Sequence, residues 1–125
     1  MVIFKNEFVE IVKEESHIPW LKIFTAQKYK ELTDCPDDLR QKLYLCMETI
    51  EKTMREYYNP EKINIAMFGN YVPHMHIHVM ARFKEDGFFP ESMWGQKQKE
   101  PNLSLPDEGY FLKKLAKKLS EIFLS

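Results

Sequence analysis

At 125 residues the chain has the length of one compact domain, long enough to bury a hydrophobic core and too short for two comfortable ones, so a single domain over residues 1–125 is expected. Hydrophobic residues make up 44% and charged residues 30%, with a formal net charge of -1, which leaves no strong field for nucleic acid or an anionic membrane. Cys35 and Cys46 lack CxxC spacing, no run of about eighteen apolar residues occurs, and MVIFKNEFVE carries early acidic residues, so the pattern speaks against a zinc knuckle, a disulfide framework, a membrane span and a typical signal peptide and fits a reducing cytoplasm.

Along the chain, FVEIV from Phe8 to Val12 reads as a short strand, and after the charged turn KEES a second follows in IPWLKIFTA from Ile18, the two suited to a hairpin. The clearest helix begins near DCPDD, with a proline suited to a first turn and acidic residues where the helix dipole favours them. Leu39, Leu43, Met47, Ile50, Met54 and Tyr57 then recur at helical spacing, and Asn59-Pro60 should end the helix because proline cannot donate to its ladder. KINIAMF is rich in β-formers, GNYVP is a tight connection, and HMHIHVMARF alternates strictly, which predicts two adjacent strands. Residues 85–106 have the glycine and proline content of an irregular loop, and DEGYFLKKLAKKLSEIFL closes as a helix with Leu112, Leu115, Leu119 and Ile122 on one side. The order predicts an α+β fold: a largely antiparallel sheet with helices on one face, one helix long and central, the other C-terminal.

Three of the four histidines stand at 74, 76 and 78. On a strand His74, His76 and His78 share a face with Met80 and Arg82, while Met75, Ile77, Val79, Ala81 and Phe83 form the opposite, core face. The histidines are therefore expected to look away from the helices toward an exposed or cleft-like side. Random scatter of four histidines gives such a triple in roughly one case in a thousand, and an internal run alternating with apolar residues is not a purification tag. A metal site is one alternative: at about 3.3 Å per residue the outer two rings are about 13 Å apart, too far to share one ion, but two of the three could ligate if His17, a cysteine or carboxylates supplied the rest, though no second spacing marks them. Catalysis is the other. A neutral imidazole can attack phosphorus and form a phosphoramidate, and the middle position suits the nucleophile because a histidine on either side can contact phosphate.

HMHIHVM resembles the His-φ-His-φ-His-φ-φ signature, with φ apolar, of the histidine triad (HIT) superfamily of nucleotide hydrolases and transferases. The stretch INIAMFGNYVPHMHIHVMARFKEDGFFPESMWG looks like a bacterial HIT-like branch, with a GN turn and a proline before the triad and Pro-x-x-x-Trp-Gly after it. The resemblance implies a nucleotidylated His76, a His74 whose carbonyl orients that ring, and a His78 that contacts phosphate. Counted back from His76, it implies phosphate contacts from Gly69, Asn70 and the backbone of Tyr71. The substrate class it implies is a nucleoside phosphoramidate, a dinucleoside polyphosphate or a related nucleotidyl linkage. It implies no cofactor and no metal, since an imidazole nucleophile and local N–H donors supply what a metal otherwise would, and it implies a homodimer. A nucleotide-binding protein without turnover is the competing class, against which the intact middle histidine stands. Three departures bear on the phosphate cradle and substrate range: the turn between the strands is shorter than in the common branch, Tyr71 replaces a small hydroxyl residue, and FTAQKY stands where a proline, lysine, any residue, histidine element often occurs.

Asn64, on the strand beside the triad, is a candidate substrate contact, with an edge or solvent-facing asparagine as the alternative. Arg82 is expected to be a solvated surface residue, Trp94 a packing plug or interface residue, and His17 structural. No GxxxxGKS/T, GxGxxG or GxSxG occurs, so P-loop, Rossmann and serine-hydrolase chemistries have no support.

Overall fold

The computed structural model describes residues 1–124. Strands β1 (Val2–Lys5), β2 (Val9–Lys13) and β3 (Trp20–Thr25) precede helix α1 (Asp37–Tyr58); β4 (Lys62–Ala66), β5 (His76–Arg82) and helix α2 (Glu108–Ile122) follow. The strands form one five-stranded antiparallel sheet in the order β1-β2-β3-β5-β4. The α+β expectation holds, as do the β2–β3 hairpin and the β4–β5 pair. β1 was not expected. It is turned onto β2 by Asn6, whose side-chain oxygen accepts from the backbone N–H groups of Phe8 (2.8 Å) and Val9 (2.9 Å).

Pro36 occupies the N-cap of α1, with Asp37 and Asp38 in its first turn at the positive end of the dipole. The helix stops where Asn59 turns left-handed (φ 48°), its N–H bonded to the Arg55 carbonyl, and Pro60 prevents continuation. Its buried stripe, Leu43, Cys46, Ile50, Thr53, Met54 and Tyr58, is rotated slightly from the one expected, leaving Leu39, Met47 and Tyr57 half-buried at its border. Helix α2 is capped by the Asp107 carboxylate, which accepts from the Tyr110 N–H, and buries Phe111, Leu115 and Leu119.

Both helices pack on one face of the sheet, against Val9, Ile11, Leu21, Ile23, Ile63, Ile77, Val79 and Ala81. Burying each of the valine, leucine and isoleucine side chains contributes about 1.5–3 kcal/mol. Because Met75, Ile77, Val79 and Ala81 are spent on this core, the alternate residues of β5 must face away from the helices. Cys35 and Cys46 are both free and buried, and burial pushes the Cys46 thiol up to about 12, which keeps it unreactive. Among the described residues no helix is long and apolar enough to cross a membrane.

Candidate active site

The strand pairing of β3 with β5 builds the site. Phe24 lies opposite His76 and Lys22 opposite His78, so the outer face of β3, made of Trp20, Lys22 and Phe24, adjoins the outer face of β5. Of the two settings expected for the histidines, exposed or cleft-like, the exposed one is corrected here: His76 is 9% and His78 7% exposed. Aromatic rings account for the difference. Phe24 stacks on His76 with centroids 4.7 Å apart, and Trp20 and Trp94 present edges to His78 at 5.8 and 5.0 Å. Phe68 packs against Trp94 at 4.9 Å, extending the wall to the end of β4. Sequence reasoning missed Trp20, Phe24 and Phe68. The signal was present in WLKIFT, where Trp20 and Phe24 on one face and Leu21 and Ile23 on the other leave only Lys22 and Thr25 polar, as in strands covered on both sides.

A second correction concerns His74, which lies in the bend before β5 rather than on the strand. Its backbone is held by a bond from its own N–H to the Val72 carbonyl (2.8 Å) and one from Met75 N–H to the Tyr29 carbonyl (2.7 Å). Its ring reaches back to Thr25, where Nε2 bonds the carbonyl oxygen at 2.8 Å and approaches Oγ1 at 3.1 Å. The Thr25 hydroxyl itself donates to the Gln27 carbonyl (2.7 Å). The Thr25 oxygens therefore fix the ring of His74, and the two backbone bonds hold its main chain.

The tautomers follow from the partners. His76 Nδ1 lies 2.8 Å from the His74 carbonyl, which can only accept, so Nδ1 carries a proton, and in the neutral ring the lone pair is on Nε2. The indole N–H of Trp20 can only donate, and it reaches His78 Nδ1 at 3.0 Å, so His78 is neutral with its proton on Nε2. Burial, with added repulsion from His76 and Lys22 that outweighs the attraction of Glu14, pushes His78 down to about 4. The two rings are 4.8 Å apart. With His76 neutral, the pair sets an unprotonated ring nitrogen beside a neutral N–H donor.

Of the other sequence candidates, Gly69 takes φ +76°, which lets the chain reverse, and a Cβ there would sit 3.4 Å from the Val72 carbonyl. Asn70 and Tyr71 are exposed in the same bend, with Tyr71 fully in solvent. Asn64 is half-buried on β4, and its Oδ1 accepts from Arg82 Nη1 at 2.8 Å. Arg82 contradicts the solvated expectation: it is 1% exposed, with Nε 2.7 Å and Nη2 3.3 Å from the carboxylate of fully buried Asp86, and Nη2 also donates to the Glu91 carbonyl (2.7 Å). A guanidinium is buried only when its donors are met, and here all the partners come from the loop after β5 or from β4. Asp86 also accepts from the N–H groups of Phe83, Phe88 and Phe89. Burial pushes its carboxyl up, but Arg82 and the three N–H groups prevail and hold it at about 2. His17 Nε2 lies 2.5 Å from the Asp86 carbonyl, in keeping with a structural role. The network anchors the segment that carries Trp94, half-exposed, onto His78.

Among the described residues no group of three or more histidine, cysteine or acidic side chains is placed to hold a metal ion.

A family model described as the HIT domain matches residues 1–85. Comparison with the curated proteins finds no match. Among solved structures, a histidine triad protein from Bradyrhizobium japonicum is similar, with a TM-score of 0.78 and 23% identity over 95% of this chain and 90% of that one. One from Marinobacter aquaeolei has a TM-score of 0.79 and 21% identity over 95% and 90%. A Plasmodium falciparum diadenosine triphosphate hydrolase is more distant, with a TM-score of 0.55 and 16% identity over 96% and 76%. At these identities the likeness is one of fold.

Proposed function

The chain belongs to the HIT domain family, and from that premise we propose that it is a nucleotide hydrolase or transferase working through a nucleotidyl-histidine intermediate. The observation that carries this reading is the 2.8 Å bond between His76 Nδ1 and the His74 carbonyl, which leaves Nε2 free to attack. Attack on the α-phosphorus of a nucleoside phosphoramidate, dinucleoside polyphosphate or related linkage forms an N–P bond and breaks the bond to the leaving group. The leaving group departs with the electron pair, taking a proton from solvent where it is an amine. The ring gains positive charge in this step, and the His74 carbonyl lies against the N–H that carries it.

His78 would donate from Nε2 to a phosphoryl oxygen, and Gly69, Asn70 and the Tyr71 N–H would close over the phosphate. Asn64, engaged with Arg82, would serve by steadying the wall of the site rather than by touching substrate. Water then attacks phosphorus, the N–P bond breaks, and a nucleoside monophosphate leaves. No cofactor enters either step.

We read the protein as one cytoplasmic domain that pairs with a second copy. β4 lies at a sheet edge, with Ile65, Met67 and Phe68 exposed along it and just beyond. A monomer mass in light scattering would remove the dimer from this picture.

Intact-protein mass spectrometry after mixing with an adenosine phosphoramidate tests the chemistry. A nucleotidyl adduct and turnover are expected in wild type, indifferent to chelator, and neither is expected in His76→Ala. Equal turnover in His76→Ala would overturn the nucleophile, activity lost to chelator and restored by zinc would favour a metal site, and tight nucleotide binding without turnover would favour the binding-protein reading.

A further inference from the structure

We propose that Lys22 forms an anion subsite for the phosphoryl group, with Glu14 as the resident counter-ion that the phosphoryl group displaces. This rests on the reading that a phosphate sits at His76 and His78.

Two cations lie on the outer face of β3 and β5, Lys22 and Arg82. Arg82 is buried and committed to Asp86, Asn64 and Glu91. Lys22 stands directly across the strand pair from His78. Its Nζ lies 5.9 Å from the centroid of Phe24, the ring that stacks on His76, so ammonium, phenyl and imidazole are consecutive contacts.

Of the triad rings, His78 supplies no positive charge, because the Trp20 indole N–H fixes it as a neutral donor, and His76 can attack only with Nε2 unprotonated, when it too is uncharged. A phosphoryl group with developing oxyanion charge needs a cation in reach, and Lys22 is placed to supply it.

The partner Lys22 now holds is exchangeable. Glu14 Oε2 is 3.1 Å from Nζ, with side chains 21% (Lys22) and 39% (Glu14) exposed, a pair of the kind that contributes little to stability. The carboxylates that face Lys22 from β2 and the turn after it are Glu10 and Glu14. Glu10 lies opposite Lys5 on β1, whereas Glu14 is bound to Lys22. A phosphate bearing more than one negative charge competes for the ammonium more strongly than a single carboxylate does.

Titration calorimetry of wild type, Lys22→Met and Glu14→Gln with adenosine, adenosine monophosphate and inorganic pyrophosphate tests this. Methionine keeps the length and packing of the lysine stem. The ratio of monophosphate to adenosine affinity is expected to fall about tenfold or more in Lys22→Met and to rise in Glu14→Gln, because removing the competing carboxylate frees the ammonium. A merely structural ion pair would move both variants the same way or not at all, and either result overturns the subsite. If pyrophosphate binds in a Lys22-dependent manner while neither nucleotide ligand binds, the subsite stands and the nucleotide reading falls. If nucleotides bind and turn over at His76 with a ratio indifferent to Lys22, the reverse holds. No binding of any of the three overturns both.

Discussion

At its C-terminal end β5 delivers Arg82 into a closed set of acceptors from Asp86, Asn64 and Glu91, with the side chain 1% exposed. At its N-terminal end the same strand delivers His76 with Nδ1 bonded to a carbonyl and, among the described residues, no protein hydrogen bond to Nε2. One end satisfies its buried polar groups and holds a loop in place. The other keeps a nitrogen uncommitted beside a bend whose Asn70 and Tyr71 are exposed. The contrast shows how one short strand separates a closed polar anchor from an open one: the Arg82–Asp86 pair holds the segment that carries Trp94, and His76 Nε2 is left uncommitted at the other end.

The sharpest way to break that contrast is His76→Ala. It should lower turnover by at least about 10³-fold while costing no more than about 2 kcal/mol in urea unfolding. Loss of the fold would mean that the reactive end is structural after all. At the other end, Asp86→Asn leaves a buried guanidinium without its counter-charge and should cost about 3–5 kcal/mol in the same assay, with smaller effects on chemistry arriving through Trp94. A stable Asp86→Asn variant would dissolve the anchor.

Acid should separate the two ends in sequence. Between pH 6.5 and about 4 the unfolded chain binds a proton at His78 that the folded chain refuses, so stability rises with pH across that window and is lost as pH falls through it, by up to about 3 kcal/mol. Asp86 behaves in the carboxylate sense: its contribution is present above its ordinary value of 3.8 and is lost only as pH falls toward about 2. Unfolding free energies measured against pH should thus show the site end weakening first. The smallest effect belongs to the bend, where Gly69→Ala forces a side chain to φ +76° and should cost about 1 kcal/mol.

Much of this was legible in the chain. The stripe from Leu43 to Met54, the Asn59-Pro60 stop and the alternation of HMHIHVMARF fixed α1 and β5, because helical and strand periods leave a direct mark on which residues are apolar. β1 was missed because VIFK is four residues long and only half-buried at its centre, too short to show a period. The Arg82–Asp86 pair was missed for another reason. A charge after a strand reads as solvated unless the chain returns to bury it, and that return depends on a turn through Gly87 and on acceptors as far away as Asn64. Trp94 is sixteen residues beyond His78 in a segment without helix or strand, and nothing local says that it comes back to the ring.

The wall around His78 has an optical consequence. The chain holds two tryptophans, Trp20 and Trp94, and both have their edges against that imidazole. All indole emission therefore originates beside His78, and none comes from a distant bystander. A ligand settling beside His76 and His78, or a proton arriving on His78, would change the surroundings of both emitters at once, so the unlabelled protein would report either event through its intrinsic fluorescence.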